Sequence, residues 1–209
     1  MHISEGVLSG PVLISGVVLA VAGTSLGLKK LDYDSIAKAG LLSACFFVAS
    51  LIHIPLGPSN VHLILNGIVG LIMGWGAFPV LLVALLLQGI FFQFGGITTL
   101  GVNTIIMALP AVICYLVFRP MIEKTSYLSL FASFAAGFFS VFFGVIIVGG
   151  ALMFTKEAFF EVSVTLIIAH LPVMVIEGII TALCVAFLKK VQPELLGEYK
   201  TNIVYTNDD

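Results

Sequence analysis

Apolar residues run along most of this chain, interrupted only by short polar or glycine- and proline-rich breaks. Seven apolar runs stand out, at residues 7–28, 36–54, 62–78, 79–94, 103–119, 128–154 and 162–188. A helix crossing the hydrocarbon of a bilayer needs about 20 apolar residues, within a range of about 17 to 25. The first, second, sixth and seventh runs meet that length clearly. The third and fourth are shorter and touch at Ala77-Phe78-Pro79, where Pro79 can open a new helix. They read as two short spans in preference to a re-entrant pair. The fifth contains Pro110, which predicts a kink.

Composition turns this pattern into a fold class. Of the 209 residues, 60% are hydrophobic and 10% charged, against about 25% charged in soluble domains. The expectation is an all-α integral membrane bundle of about seven transmembrane helices over residues 1–190, followed by a cytoplasmic tail at 191–209. The formal net charge of −2 says nothing about nucleic acid, and no basic cluster suggests one, so no nucleic-acid partner is expected. Cys45, Cys114 and Cys184 lie inside apolar runs without ligand-like spacing and read as small buried side chains.

Charge also sets the orientation. With seven spans, Lys29, Lys30, Lys38, Arg119, Lys124, Lys189, Lys190 and Lys200 fall on one side, and Lys156 alone on the other. Basic residues mark the cytoplasm. The N-terminus is therefore expected outside and the C-terminus inside, in a multi-pass protein of the inner (plasma) membrane. The outer face then collects Met1-His2, the loop from His53 to His62, the loop Gly95–Asn103 and the acidic stretch around Glu157 and Glu161.

The start of the chain carries candidate chemistry. A secretory signal would place basic residues before its apolar run, and Met1-His2-Ile3-Ser4-Glu5-Gly6 has none. A histidine at position two has a geometric property that other positions lack. The Met1 α-amine, the His2 amide nitrogen and the His2 Nδ1 close a five- and a six-membered chelate ring around one ion, in the plane of the peptide. A fourth nitrogen completes a square, the arrangement suited to nickel(II) or copper(II) and unsuited to tetrahedral zinc. Deprotonation of the amide makes binding weaken as pH falls. His62, behind the stiff Pro55-Leu56-Gly57-Pro58 stretch, and His53 are the two candidates for that fourth nitrogen. Asn60, Asn103 and Glu5 can orient the ligands, although the plainer role for Glu5 is a charge near the first helix N-terminus.

These residues resemble a family. Met1-His2-Ile3-Ser4-Glu5-Gly6 is similar to the start of the CbiM/NikM proteins, the substrate-binding membrane subunits of energy-coupling-factor (ECF) transporters for cobalt and nickel. Gly95-Gly96-Ile97-Thr98-Thr99-Leu100-Gly101-Val102-Asn103 resembles that family's Gly-Gly-x-Thr-Thr-Leu-Gly-x-Asn loop. The His62 position and Ala169-His170-Leu171-Pro172-Val173…Glu177-Gly178 extend the likeness over nearly the whole chain. The resemblance implies a seven-helix subunit that captures Ni2+ or Co2+ from outside, held by the Met1 amine, the His2 amide and imidazole, and His62. Thr99 and Asn103 belong to the supporting loop. The chain departs from the Ser-His-Pro-Thr-Gly type of loop carried by some members, reading Gly57-Pro58-Ser59-Asn60-Val61-His62 instead.

No G-x-x-x-x-G-K-[ST] phosphate loop occurs, so the chain is not expected to be an ATPase or another enzyme. The resemblance implies a transmembrane coupling subunit, cytoplasmic ATPase subunits and often a small accessory membrane subunit. Small-residue ladders at Ala132, Ala136, Ser140 and Gly144, and at Gly16, Ala20 and Thr24, offer either a docking face or packing within the bundle. His170 and Glu177 lie on the order of 12 and 22 Å into the seventh run and are candidates for coupling. A stand-alone proton- or sodium-coupled permease using these two residues is the alternative. An intramembrane metal hydrolase would show a paired motif such as H-E-x-x-H, and none is present.

Overall fold

The computed structural model describes residues 2–56, 59–124, 126–156 and 160–196. They form an all-α membrane bundle. Its helices are α1 (Gly10–Lys30), α2 (Ser35–Ala49), α3 (Asn66–Met73), α4 (Ala77–Phe92), α5 (Leu100–Ile122), α6 (Ser126–Met153) and α7 (Phe160–Val191). Among the described residues, five helical stretches are long and apolar enough to cross a membrane, with Asn66–Phe92 taken as one of them. The outward faces are apolar too: Ile14, Val18, Ile168, Leu183 and Phe187 are all exposed, as suits contact with lipid tails.

The stretch Asn66–Phe92 is not one straight helix. Gly74 adopts φ 54° and ψ −121°, a conformation closed to residues with a Cβ, and a 3-10 turn covers Gly74–Gly76. The neighbours of each half show that the chain reverses there. Along α3, Gly70 meets Ala111 and Gly74 meets Tyr115, so α3 runs in the direction of α5. At the start of α4, Phe78 and Pro79 meet Gly23 and Gly27 near the far end of α1, whereas Gly16 of α1 meets Val102 at the start of α5. Helix α4 therefore climbs back, and its end joins α5 through a short loop. The break comes three residues before the expected Ala77-Phe78-Pro79, because glycine supplies it. Pro79 sits in the first turn of α4, where its missing N–H leaves no bond unmade. Helix α5 continues unbroken through Pro110.

The connection between α2 and α3 is a two-stranded antiparallel hairpin, β1 (His53–Leu56) with β2 (Ser59–His62), where the sequence suggests only a stiff loop. His53 and His62 are partners on one rung of its ladder.

Two ends of the bundle differ in character. At one, Lys30, Lys38, Arg119 and Glu194 line a cavity of about 220 Å³, and Lys189 Nζ donates to the Ile122 carbonyl at 2.7 Å. Beyond α7, a 3-10 turn at Pro193–Leu196 returns Leu196 to the core beside Ile122. The opposite end holds residues 2–9 and the loop between α4 and α5, and there Ser9 N–H donates to Thr155 Oγ1.

The small-residue ladders are packing seams inside the bundle. Ala132, Ala136 and Ser140 are fully buried, and Gly137 lies against the Glu177 carbonyl and Thr181 of α7. Gly16 and Ala20 are buried in α1. Cys114 is buried and Cys184 partly so, but Cys45 is exposed, on the outer surface of α2. A Cβ added at Gly70 would stand 2.3 Å from the Ala111 carbonyl oxygen, whereas one at Gly150 would meet nothing within 4 Å. Gly70→Ala is expected to destabilise the bundle by about 1–3 kcal/mol through overpacking against backbone. Gly150→Ala should leave it unchanged. Thermal unfolding in detergent checks both, and equal behaviour of the two variants would contradict the packing described.

Candidate metal centre

The N-terminal peptide is held like an added strand by one side chain. Asn103, in the first turn of α5 and 2% exposed, accepts the Ile3 N–H on Oδ1 at 2.9 Å and donates Nδ2–H to the Ile3 carbonyl at 3.1 Å. A carboxamide pairs both faces of one peptide position, as a neighbouring strand would. Its Nδ2 also donates to Thr99 Oγ1 at 3.2 Å, which fixes which end of the amide faces which atom. Glu5 supplies a second hold. Its N–H donates to the Gly95 carbonyl at 3.2 Å. Its carboxylate accepts the Thr98 N–H at 3.0 Å and hydroxyl at 3.2 Å. Glu5 thus binds the α4–α5 loop and does not serve the start of α1, whose first turn carries no acidic residue.

These contacts explain the Gly-Gly-x-Thr-Thr-Leu-Gly-x-Asn spacing. Gly95 (φ +81°) and Gly96 (φ +136°) take backbone conformations that suit glycine, and Cβ atoms there would collide with Asn103 Nδ2 and with the Glu5 side chain. Thr98 holds Glu5, Thr99 holds Asn103, and Gly101 lets α5 close on the backbone of Val17. The loop is a socket for residues 3–5. Its next residue back, Phe94, stacks on the His2 imidazole, with centroids 6.0 Å apart and planes 20° apart. His2 is therefore fixed from one side by Ile3 and from its ring face by Phe94. Met1 lies outside the described residues.

The second candidate segment is anchored from α7. Glu177 is fully buried. Its carboxylate accepts the N–H of Ile64, and that of Leu65 at 3.0 and 3.1 Å. Leu65, at φ 53°, is the last residue before α3, so Glu177 meets the positive end of that helix. Asn66 completes the anchorage: its Oδ1 accepts from Ser140 Oγ at 2.9 Å and its Nδ2 donates to the Met107 carbonyl at 3.3 Å. Helix α3 is only 8 residues long, yet α5, α6 and α7 all hold its first turn. Ile64 lies two positions after His62. His170 stands two turns from Glu177 on the same face of α7. Its Nδ1–H donates to the Leu166 carbonyl at 2.8 Å, and because a carbonyl can only accept, the proton sits on Nδ1.

Of the sequence-derived candidates, the structure thus joins Glu5, Thr99 and Asn103 around residues 3–5 beside His2. It ties the chain just after His62 to Glu177. For His53, Asn60 and His62 it gives the backbone pairing alone, with Asn60 opposite Pro55. Among the described residues no three His, Cys, Asp or Glu side chains gather into a cluster. Sequence reasoning missed Phe94 and Asn66, and read Ser140 only as a small packing residue and not as a partner of Asn66. Phe94 carries no signal beyond apolarity, whereas an asparagine at position 66 inside an apolar run is a signal that attention to ionisable groups alone passes over.

This is the fold of a known membrane transporter. The chain matches a solved structure described as the crystal structure of a transition metal transporter with a TM-score of 0.79 and 24% identity, covering 91% of this chain and 93% of that one. The family model described as "Cobalt uptake substrate-specific transmembrane region" matches residues 2–195, and the chain belongs to that family, CbiM. It is 42% identical over 207 residues to a putative metal transport protein of Haemophilus influenzae, covering 94% of this chain and 97% of the relative. It is 29% identical to the cobalt transport protein CbiM of Clostridium tetani, covering 91% and 85%. The family is one of transport subunits and not of enzymes.

The hold on Glu5 carries a pH dependence. Donation by the Thr98 N–H, and next by its hydroxyl, keeps the Glu5 carboxyl below its ordinary value of 4.5. A depressed folded value means stabilisation that is present above the ordinary carboxylate range and lost as pH falls through the folded value. Hydrogen-exchange protection of the Thr98 amide is therefore expected to drop in acid, below the usual titration of glutamate. Glu5→Gln should flatten that drop, since its amide oxygen accepts at every pH. An unchanged acid profile in the variant would contradict the assignment.

Proposed function

We propose that this chain is the substrate-specific membrane subunit of an energy-coupling-factor transporter, capturing Ni2+ or Co2+ outside the cell for ATP-driven uptake. The observation that carries this reading is the clamp of Asn103 on Ile3. It spends a buried polar side chain on holding the first few residues in one place, which an idle leader would not need.

The proposed ligands are the Met1 amine, the His2 amide nitrogen and Nδ1, and the His62 imidazole, with His53 as its partner on the hairpin rung. Asn103, Thr99 and Glu5 position the first segment, and Asn60 belongs to the hairpin that carries the second. The donor set is chemically suited to a planar divalent ion. Phe94, nearly parallel to the His2 ring, would shield one face of that plane from water.

Seven crossings are proposed, the third made by the segment from His62 through α3 together, with the His2 end outside and the end bearing Lys30, Lys38, Arg119 and Lys189 in the cytoplasm. With no phosphate loop of its own, the subunit depends on partners: a transmembrane coupling subunit, cytoplasmic ATPases and a small accessory membrane subunit. Glu177 accepts the N–H groups at the start of α3, an anchoring task that supports the capture reading over a stand-alone permease with Glu177 and His170 as its relay.

Acetylating or extending the N-terminus of the purified protein is expected to lower nickel and cobalt affinity by at least a hundredfold, and His2→Ala and His62→Ala by comparable factors. Calorimetric titration with each ion measures this. Full affinity in a protein with an extended N-terminus would overturn the reading.

A further inference from the structure

One fully buried carboxamide in the core has no hydrogen-bond partner among the described residues. Gln88 of α4 is completely buried, and neither its Oε1 nor its Nε2 has a hydrogen-bond partner among the described residues. Buried carboxamides are almost always paired, and an unpaired one is a standing cost that calls for a specific reason. Leucine would fill the same volume without that cost.

Its position gives the reason. Gln88 lies on the order of 6 Å along α4 from Phe92. Its own backbone carbonyl accepts the N–H of Phe94 at 3.3 Å, and the Phe94 ring is the one that stacks on His2. The buried face of α4 that carries it includes Leu81, Ala84 and Leu85. That face belongs to the same core as Ile3 and Ile64, the residues just beyond His2 and close beyond His62. An unsatisfied amide therefore sits on the buried face of α4, whose Leu81, Ala84 and Leu85 belong to the same core as Ile3 and Ile64 of the two proposed ligand segments.

A planar set of four nitrogens leaves both faces of the ion without a donor, and Phe94 would cover only one of them. A carboxamide oxygen is a neutral donor suited to such a face, either directly or across one water retained by the ion. We propose that Gln88 is a further contact for the captured divalent cation, its amide oxygen facing the ion from the α4 side. The inference rests on the capture reading above. A donor outside the plane favours an ion that accepts more than four ligands, so Gln88 also weighs on the choice between nickel, which tolerates a bare square, and cobalt.

The test uses the full-length protein in detergent, titrated with nickel and with cobalt as wild type, Gln88→Leu and Gln88→Glu. The expected result is at least a tenfold loss of affinity in Gln88→Leu, greater for cobalt than for nickel. The ion-free variant should melt at or above the wild-type temperature. Gln88→Glu, which keeps an oxygen in place, should bind within threefold of wild type or more tightly. Its cobalt visible absorption should shift as carboxylate replaces amide. Wild-type affinity in Gln88→Leu, or equal losses in both variants, would overturn the inference. Should Gln88→Leu fail to fold, an identical cobalt spectrum in wild type and Gln88→Glu would overturn it instead. A wild-type protein that holds neither ion would refute the capture reading itself, which separates the two failures.

Discussion

Two hydrogen bonds between the Asn103 carboxamide and the backbone of Ile3, one accepted and one donated by the side chain, decide what the rest of the molecule can do. A terminal peptide ordinarily frays, because ordering each residue costs about 1–2 kcal/mol of backbone entropy. Here the cost is offset by pairing both polar groups of one peptide position in a buried setting, with Thr99 fixing the amide's orientation. Once Ile3 is held, His2 has little freedom left, and Phe94 takes up the remaining ring face. The glycines at 95 and 96 belong to the same device, since they clear the space that Asn103 and Glu5 occupy.

A second anchor mirrors the first. Glu177 and Asn66 place the start of a half-length helix in the middle of the bundle, where lipid could not satisfy its free amides. The consequence is that the hairpin bearing His53 and His62 is tied down just after its second strand. Both proposed ligand-bearing segments are thus non-helical, each fixed by a buried polar side chain on a long helix. In the proposed site, rigid helices would supply the positions and the short segments the donors, a division of labour that needs no cluster of acidic ligands.

Much of this was legible in the sequence, for identifiable reasons. The length of the apolar runs gave the membrane bundle, because hydrocarbon thickness fixes helix length whatever the packing. The Met1-His2 start proposes a chelating peptide because that geometry is local; the contacts described reach Ile3 and the His2 ring, and Met1 lies outside the described residues. The Gly-Gly-x-Thr-Thr-Leu-Gly-x-Asn loop suggested support for the site, but its role as a socket for residues 3–5 depends on contacts across about 100 positions of chain, which no local pattern encodes. The break at Gly74 was misplaced by three residues because proline is the louder signal and the glycine's backbone angle is invisible in sequence. Glu177 was singled out correctly as unusual, yet its partners are backbone amides, which carry no sequence signature at all.

The central claim is that Asn103 acts on the ion only by holding His2 in place. Nickel affinities of Asn103→Leu, His2→Ala and the double variant form a cycle that measures this coupling directly. If the clamp works through His2, the double variant binds no more weakly than His2→Ala alone. Losses that simply add, or an Asn103→Leu variant with undiminished affinity, would contradict the account.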